Sequence, residues 1–554
     1  MKISLLDKKS MHLPKMFLKS NLFTHLQIIC VTTLGAFLRF HNIGAQPLWL
    51  DEGYSFQFAQ LPLSQLWGAE ALSEPNPPLY YTLLKLWMLF FGESEVALRS
   101  LSAVIGILTI PLLYILGKTL GKQRLGIIAA LLLAISPINI QYSQEARAYT
   151  LLTLAVTLAI LGLAGLLKDP KGAKMPIGQA LIRKVFPEAP GNSRSQAKLT
   201  TDLAWLAYIG GLSIAFYAHS TAVFLLGISS VSIFLYWMKT LQFNRIFFWN
   251  WIVANTLILV VWAWWLTFML RQTNLNSWIP FITIEGAIGI LGDVLIEPGR
   301  EPQYIFQLCK YFLFFGLALL GLWRWRNKLE KLTLINAFLV GFPLLVFVIS
   351  LYRPLFIPRV FLWTTIPFYV LLASGILAFH SRFMIILTAT ILFALQLSST
   401  VNYYQVEKEP WNEIAMHIGS RMKQGDKILF YQNYLSIPFN YYFRDLSINT
   451  IQYALVDSYS VTKYSYLNNL VKIPIADIPN TASTWRRTWF VQGYLSNKVA
   501  TSILSALNQN MHQIYHHSYN SLDIYLFENT KELSGKLGLN QYANSETVRS
   551  KSSK

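Results

Sequence analysis

Two adjacent carboxylates, Asp51 and Glu52, follow the first long apolar segment in the run LRFHNIGAQPLWLDEGYS. A carboxylate beside a bilayer surface can accept a proton from a hydroxyl, and its neighbour can orient it or bind a cation or a sugar hydroxyl. An acidic pair in a loop is also a common solvated feature. The pair therefore becomes a candidate catalytic site only if other charged residues accompany it.

Charged residues of this kind recur on the same side of the predicted membrane spans. They are Arg99 at the start of the second span, Glu145 and Arg147 in QYSQEARAY, and Arg353 and Arg359 in LYRPLFIPR. Guanidinium groups bind phosphate through two parallel hydrogen bonds and stay charged. Each arginine alone could instead pair with a nearby acid or anchor a lipid headgroup. As a set, they predict a site that binds an anion beside carboxylates.

The amino-acid composition indicates an integral membrane protein. A soluble domain carries about a quarter charged residues, whereas this chain of 554 residues is 13% charged and 54% hydrophobic. Its 17 Trp and 28 Tyr suit membrane–water interfaces. About eleven spans are predicted. They lie near 22–38, 97–117, 125–141, 149–167, 203–219, 221–238, 247–269, 304–323, 332–351, 359–379 and 383–399.

The loop charges predict a cytoplasmic N-terminus and a protein of the cell membrane. Loop 168–200 carries seven Lys and Arg and is assigned to the inside, whereas loop 39–96 is acidic and is assigned to the outside. The segment Leu79–Phe91 is apolar, short and interrupted by Lys85. Counting it as a span would reverse every later loop, so we expect a helix lying in the outer interface.

After the last span the chain becomes polar, and by parity this part lies outside. We expect a cytoplasmic segment over 1–20, a transmembrane domain over 21–400, an α/β domain over 401–530 and a disordered tail over 531–554. In the α/β domain the pattern predicts helices at Trp411–Lys423 and Val499–Leu507. Strands are predicted at 427–432, 488–493 and 522–528.

The motifs resemble glycosyltransferase family 39, whose members include protein O-mannosyltransferases and the lipid A aminoarabinose transferase and share the GT-C fold. The resemblance rests on LWLDEGYS, NPPLYYTLLKLW, ALRSLSAVIGILTIPLLYILG and SPINIQYSQEARAYTLL, dense over 35–155, and returns at FIPRVFLW. It implies a polytopic α-helical membrane protein of GT-C type, and the C-terminal α/β domain, which loop parity assigns to the extracytoplasmic side, resembles the domains of bacterial members in position only. It also implies transfer of a sugar from a polyprenyl-phosphate donor with inversion at the anomeric carbon.

The resemblance assigns roles to individual residues. Asp51 would be the general base, with Glu52 beside it, and Arg99 would match the arginine that follows the first outer loop. Asn76-Pro77-Pro78 stands where family members often have His-Pro-Pro, which leaves the acceptor open among lipid, glycan and protein hydroxyls. Substrate contacts are also expected from residues of the two later outer segments, namely Glu145, Arg147, Tyr149, Arg353 and Arg359.

The sequence also bears on several other functions. The net charge of +19 is spread over short loops between apolar runs, so a nucleic-acid partner is not expected. Cys30 and Cys309 lie in apolar segments, which argues against a structural disulfide. No cofactor or metal is expected, although a divalent cation stays open. A lipid or lipid-linked-sugar flippase is the main alternative, because it too would have many spans. A receptor that binds ligands through its C-terminal domain is a third.

Overall fold

The computed structural model describes residues 13–168, 195–240, 244–272, 279–297, 304–456, 470–493, 497–519 and 522–530. The chain forms two compact units. The first comprises Met1–Ile43 and Leu61–Val406, and the second comprises Gly44–Gln60 and Glu407–Lys554. Most of the predicted segment 1–20, most of loop 168–200 and all of the predicted tail 531–554 lie outside the described residues.

The first unit is helical. Its long helices are Leu13–Phe40, Glu95–Gly121, Tyr149–Lys168, Ser195–Ala218, Val223–Thr240, Arg245–Arg271, Tyr304–Arg324 and Arg382–Tyr404. Its shorter helices are Leu63–Leu66, Leu79–Phe91, Gln123–Ala134, Pro137–Ser143, Ile284–Leu295, Leu329–Asn336, Phe342–Ser350 and Thr365–Ile376. Tighter 3-10 turns occupy Ala69–Leu72, Ser220–Ala222 and Pro358–Thr364, and a π-helical turn occupies Ala337–Gly341.

Within the described residues, nine helical segments are long and apolar enough to cross a bilayer, and a bent pair makes ten. Ser195–Ala218 occupies the place of the remaining predicted span. At about 1.5 Å per residue its 24 residues also reach across a hydrocarbon core of about 30 Å. The prediction of a polytopic helical membrane protein is therefore confirmed. Leu79–Phe91 is a helix of 13 residues, too short to span.

One predicted span is broken. The sequence indicated a single span over 125–141, but Gln123–Ala134 and Pro137–Ser143 meet at 61°. The cause is local: Ser136 accepts a hydrogen bond from the Asn139 backbone N–H, and a proline at the first helical position starts a new helix there. The bend leaves carbonyls at the end of the first helix without helical partners. Arg39, buried, donates to the carbonyls of Leu133 and Ala134 at 3.1 and 3.0 Å.

Small residues allow close packing between Tyr149–Lys168 and Ser195–Ala218. A Cβ on Gly162 would lie 2.5 Å from the Tyr208 backbone nitrogen, and one on Gly211 would lie 2.5 Å from that of Ala159. Glycine is therefore required at both positions if the two backbones are to approach this closely. The contact fixes the helix that begins at Tyr149, one of the predicted site residues.

The second unit contains the helix Leu50–Gln60 and a six-stranded sheet of order β3-β2-β1-β4-β6-β5. The strands are β1 Lys427–Tyr431, β2 Gln452–Val456, β3 Val471–Pro474, β4 Arg487–Gly493, β5 Met511–Tyr519 and β6 Leu522–Asn529. β1 to β4 pair in parallel, β6 runs antiparallel to β4, and β5 runs antiparallel to β6.

Helices cover both faces of this sheet. They are Trp411–Arg421, Ser436–Phe443, Ile478–Ala482 and Asn497–Asn508, with 3-10 turns at Asn433–Leu435, Arg444–Leu446 and Ile475–Asp477. Alternate residues of β1 point to opposite faces: Phe430 packs with Trp411 and Phe439, and Leu429 packs with the core that contains Ile503. The predicted helices and strands of the α/β domain are confirmed with small shifts. β2, β3, β5 and Ser436–Phe443 were not predicted.

Candidate functional site

A buried carboxylate, Glu74, organises the segment that leads into helix Leu79–Phe91. Its Oε1 accepts hydrogen bonds from the Asn76 side-chain amide at 2.9 Å and from the Asn76 backbone N–H at 3.3 Å. The Gln272 side-chain amide donates to the Glu74 backbone carbonyl at 2.7 Å. Ser220 donates to the carbonyl of Pro75. Two distant parts of the first unit thus fix this loop in place.

Arg147 lies against the same carboxylate. It stands in the short corner between helices Pro137–Ser143 and Tyr149–Lys168, where the Ser102 hydroxyl donates to its backbone carbonyl at 3.2 Å. Its Nη2 lies 3.9 Å from Glu74 Oε1, and its Nη1 donates to the Tyr81 hydroxyl at 3.3 Å. We call Glu74, Asn76, Tyr81, Arg147 and Gln272 the Glu74 cluster.

Tyr81 remains a neutral hydrogen-bonding group in this cluster. Burial raises the pKa of Tyr81 well above its usual value, against the lowering effect of the Arg147 charge. Its hydroxyl also shares a hydrogen bond with the Glu74 carboxylate, which raises the pKa further. The hydroxyl therefore stays protonated between the guanidinium and the carboxylate and holds them at a fixed separation.

Tyr149 and Arg359, both predicted site residues, act on the region next to the cluster. The Arg147 guanidinium lies 5.8 Å from the centre of the Tyr149 ring, which lies 6.0 Å from the His219 ring. His219, between two helices, accepts from the Thr221 backbone N–H. Burial, then the charges of Arg359 and Arg147, lowers the pKa of His219 to about 3. His219 is therefore neutral at physiological pH, and Arg359 acts on the same region as Arg147.

Gln272 connects Arg353, a third predicted arginine, to the backbone of Glu74. Its backbone carbonyl accepts from Arg353 Nη2 at 3.3 Å, while its side chain holds the Glu74 backbone. Arg353 is exposed, and Gln272 is buried. The structure thus links Asn76, Arg147, Tyr149 and Arg353 to Glu74 through direct contacts or shared neighbours, and places the charge of Arg359 near His219.

Arg99 and Glu145 are also buried in the first unit. Arg99 donates to the Ile43 carbonyl at 2.9 Å. Glu145 accepts from the Gln141 side-chain amide at 3.2 Å. Arginines outnumber carboxylates among the site residues of this unit, and such an excess favours an anionic ligand.

The structure places Asp51 and Glu52 in the second unit, in the first turn of Leu50–Gln60, here called the carboxylate helix. Carboxylates are favourable at this end of a helix because the helix dipole is positive there. Glu52 is completely buried, and its Oε2 lies 3.2 Å from Lys408 Nζ. Asp51 is only half-buried. The two carboxylates therefore differ in environment: Glu52 is sealed in an ion pair, and Asp51 is the more accessible group.

Sequence reasoning missed the organising residues. Glu74 was noted only as one acid of a long acidic loop, and neither Tyr81 nor Gln272 was assigned a role. The available signal was the position of Glu74 two residues before Asn76-Pro77-Pro78. In the part of the chain that the structure describes, no three His, Cys, Asp or Glu side chains converge so that they could hold a metal ion. Metal-free action stays a prediction.

Comparisons with known proteins agree with this architecture. Residues 75–181 match the family model described as dolichyl-phosphate-mannose-protein mannosyltransferase. The chain is similar to ArnT from Cupriavidus metallidurans in the apo state, with 11% identity and a TM-score of 0.59 over 90% of this chain and 97% of that chain. The same protein bound to undecaprenyl phosphate gives 12% identity and a TM-score of 0.54 over the same shares, 90% and 97%.

The apo oligosaccharyltransferase of Archaeoglobus fulgidus is also similar, with 10% identity and a TM-score of 0.50 over 92% of this chain and 74% of that chain. At these identities the likeness shows the fold. No curated protein sequence matches the chain.

The fold and the site thus define a class: a multi-span membrane protein of GT-C type with an α/β domain at its C-terminus. The family model that matches residues 75–181 agrees with the resemblance that the motifs indicate for this part of the chain.

Proposed function

We propose that the protein transfers a sugar from a polyprenyl-phosphate donor to a hydroxyl of a lipid, glycan or protein, with inversion at the anomeric carbon. The observation that carries this proposal is the Glu74 cluster, in which Arg147 is held in a fixed position among other arginines. The family match and the similarity to an enzyme bound to undecaprenyl phosphate support a donor of this class.

The arginines stabilise the prenyl phosphate as it leaves. When the bond from the anomeric carbon to the phosphate oxygen breaks, negative charge grows on the prenyl phosphate. A guanidinium that is already oriented stabilises that charge without rearrangement. Arg147 is oriented by Tyr81 and Glu74, which makes it the first choice for this role. Arg353 and Arg359 are the further phosphate ligands we propose, and Arg99, Glu145, Tyr149 and Asn76 complete the substrate contacts.

Asp51 is the proposed general base. A sugar, serine or threonine hydroxyl is a weak nucleophile near neutral pH, so its proton must be removed as it attacks the anomeric carbon. Asp51 is half-buried, whereas Glu52 is buried against Lys408. This difference supports Asp51 as the residue that takes the proton and Glu52 as its oriented neighbour. No cofactor is required by this scheme.

We further propose that the reaction takes place at the outer face of the cell membrane. The basic loops and the acidic first loop favour a cytoplasmic N-terminus and an extracytoplasmic C-terminal domain. Labelling of single cysteines from either side of intact cells tests this orientation. Residue 477 in the second unit and residue 239 after the helix Val223–Thr240 are suitable positions, since the first is exposed and the second should react only from inside.

The test of function is sugar transfer by the purified protein in liposomes that contain a polyprenyl-phosphate sugar. The Asp51→Asn variant should lose transfer while it keeps its thermal stability and its bound lipid. Asp477→Asn, which removes an exposed carboxylate of the same unit, is the matched control. Transfer at the wild-type rate by Asp51→Asn would refute the base assignment. A wild-type protein that moves lipid between leaflets and transfers no sugar would identify a flippase instead.

A further inference from the structure

The second unit ties the carboxylate helix to the C-terminal residues. We propose that the C-terminal domain is the scaffold that positions the catalytic carboxylates, and that Lys408 is the main positioning residue. This inference rests on the proposed function, because it gives the carboxylates of that reaction their support. It assigns the domain a role in the transfer reaction itself.

Lys408 makes several contacts with the segment around the carboxylates. Its ammonium lies 3.2 Å from Glu52 Oε2 and 6.0 Å from the centre of the Trp49 ring. Its backbone N–H donates to the Gln46 side-chain oxygen at 3.0 Å. A fully buried carboxylate is costly unless it is paired, and removal of one partner from such a pair strongly destabilises it. Lys408 therefore pairs with the buried Glu52 carboxylate and holds it in place beside Asp51.

Two contacts with the helix Ser436–Phe443 fix the start of the carboxylate helix. The Leu48 backbone N–H donates to the Tyr442 hydroxyl at 2.7 Å. Gly53 lies so close to this helix that a Cβ there would stand 2.8 Å from the Ile437 side chain. The close approach explains why glycine follows the two carboxylates in the sequence. The contact with Ser436–Phe443 also fixes the distance between the carboxylate helix and the rest of the domain.

Phe56, in the second half of the carboxylate helix, packs against Tyr441 and Arg444. The Phe56 and Tyr441 rings meet edge to face at 5.1 Å. The Arg444 guanidinium lies 4.6 Å from the Phe56 ring centre and 4.7 Å from that of Tyr441. A guanidinium this close to an aromatic ring is attracted to the ring face. The helix is thus fixed to the domain at its start and along its length.

Catalysis needs this support because residues 44–60 are a short segment whose helix has only eleven residues. An isolated helix of this length is marginal in water. Misplacement of a catalytic group by about 1 Å can lower a rate by about 100-fold. The base therefore needs an external scaffold, and the C-terminal domain provides one whose own core is complete on both sheet faces.

The test compares the full-length Lys408→Met and Lys408→Arg variants, with Lys423→Met as the control because its side chain is exposed in the same unit. Hydrogen–deuterium exchange is measured at the backbone amides of residues 48–60. Lys408→Met should accelerate exchange there by about tenfold, whereas Lys408→Arg and Lys423→Met should stay within about twofold of wild type. Exchange in β4 should not change.

Sugar transfer gives the second readout. Lys408→Met should lower kcat by about 10- to 100-fold with little change in the donor KM, because the phosphate ligands we propose are residues of the first unit. Lys408→Arg should restore kcat. A purely structural role for Lys408 would lower the fraction of folded protein and leave the kcat of the folded protein unchanged.

The outcomes separate this inference from the proposed function. If Lys408→Met leaves exchange over 48–60 and kcat unchanged, the positioning role is wrong, whatever Asp51 does. If exchange accelerates but Asp51→Asn transfers sugar normally, the scaffold stands and the base assignment fails. Should Lys408→Met not fold, Tyr442→Phe removes only the hydroxyl that holds Leu48. It should accelerate exchange at residues 48–50, and unchanged exchange there would overturn the scaffold role.

Discussion

Glu74 and Arg147 form a buried ion pair, with 3.9 Å between Oε1 and Nη2 and side chains that are 9% and 8% exposed. Tyr81 contacts both members, and Asn76 binds the carboxylate from its own loop. This pair joins the proline-rich first loop to the corner that precedes Tyr149. We regard it as the relationship that places a guanidinium for phosphate binding.

Replacement of Glu74 by Gln should weaken the protein and its activity together. The amide keeps an oxygen for Asn76 but removes the charge that offsets Arg147, and loss of one partner of a buried pair lowers the free energy of unfolding by up to about 3 kcal/mol. Thermal unfolding in detergent measures the first effect, and the donor KM should rise because Arg147 is no longer held. Glu70→Gln, which changes a half-buried acid of the same segment, should shift stability by less than about 0.5 kcal/mol.

A double-mutant cycle gives the decisive control for this pair. In an Arg147→Gln background, Glu74→Gln should destabilise much less than in the wild type, because the charge it would leave unbalanced is gone. Equal losses in the two backgrounds would mean that the two residues act independently, and the pair would then have no part in positioning.

Tyr81→Phe should weaken the support of Arg147 without removing a charge from the Glu74 cluster. The change removes the hydroxyl that accepts from Arg147 Nη1 and should cost about 1 kcal/mol of stability. Transfer should fall by about tenfold in kcat/KM, since the guanidinium loses one of its guides. Tyr208→Phe is the matched control, because it removes a buried hydroxyl of the same unit that donates to the Asn255 side-chain oxygen at 2.9 Å. It should cost similar stability with a smaller loss of transfer; equal losses would argue against a specific role for Tyr81.

Hydropathy predicts most of the helical unit. A segment in lipid must form all of its backbone hydrogen bonds internally, as a helix does, and it must carry a long run of apolar side chains. It could not reveal the bend at Ser136-Pro137, which depends on one capping side chain and one proline. β5 escaped prediction because it is an edge strand whose side chains are mostly exposed and polar.

The sequence indicates the charged residues of the candidate site, but not their partners in the structure. Lys408 follows Glu52 by 356 residues, and Gln272 follows Glu74 by 198 residues. No local pattern joins residues so far apart. Glu74 lay in a loop with five other acids, and only the structure distinguishes the one that is buried against an arginine.

The second unit should lose stability as the pH falls, through His417. Burial, then the charges of Arg421 and His517, lowers the pKa of His417. In the unfolded chain the histidine binds its proton at about pH 6.5, so the loss of stability begins at about that pH. Below that pH the unfolded chain carries more protons than the folded one, so acid favours unfolding. Unfolding midpoints of the full-length protein between about pH 7.5 and 5 should therefore fall more steeply for wild type than for His417→Gln.

The exposed residue His512 provides the comparison for this measurement. His512→Gln should follow the wild-type curve. Parallel curves for wild type and His417→Gln would show that protonation of His417 is not linked to folding.

Retention of lipid phosphate should depend on the guanidinium of Arg147 and not only on its charge. Arg147→Lys keeps a cation but loses the planar group that can bond to Tyr81 and to phosphate oxygens together. We expect the purified variant to carry at least about tenfold less polyprenyl phosphate by mass spectrometry than wild type. Arg326→Lys changes an exposed arginine that lies 4.4 Å from the centre of the Trp323 ring, and it should retain wild-type lipid. Equal lipid in all three proteins, with normal transfer, would remove Arg147 from the phosphate site and leave Arg353 or Arg359 as its ligand.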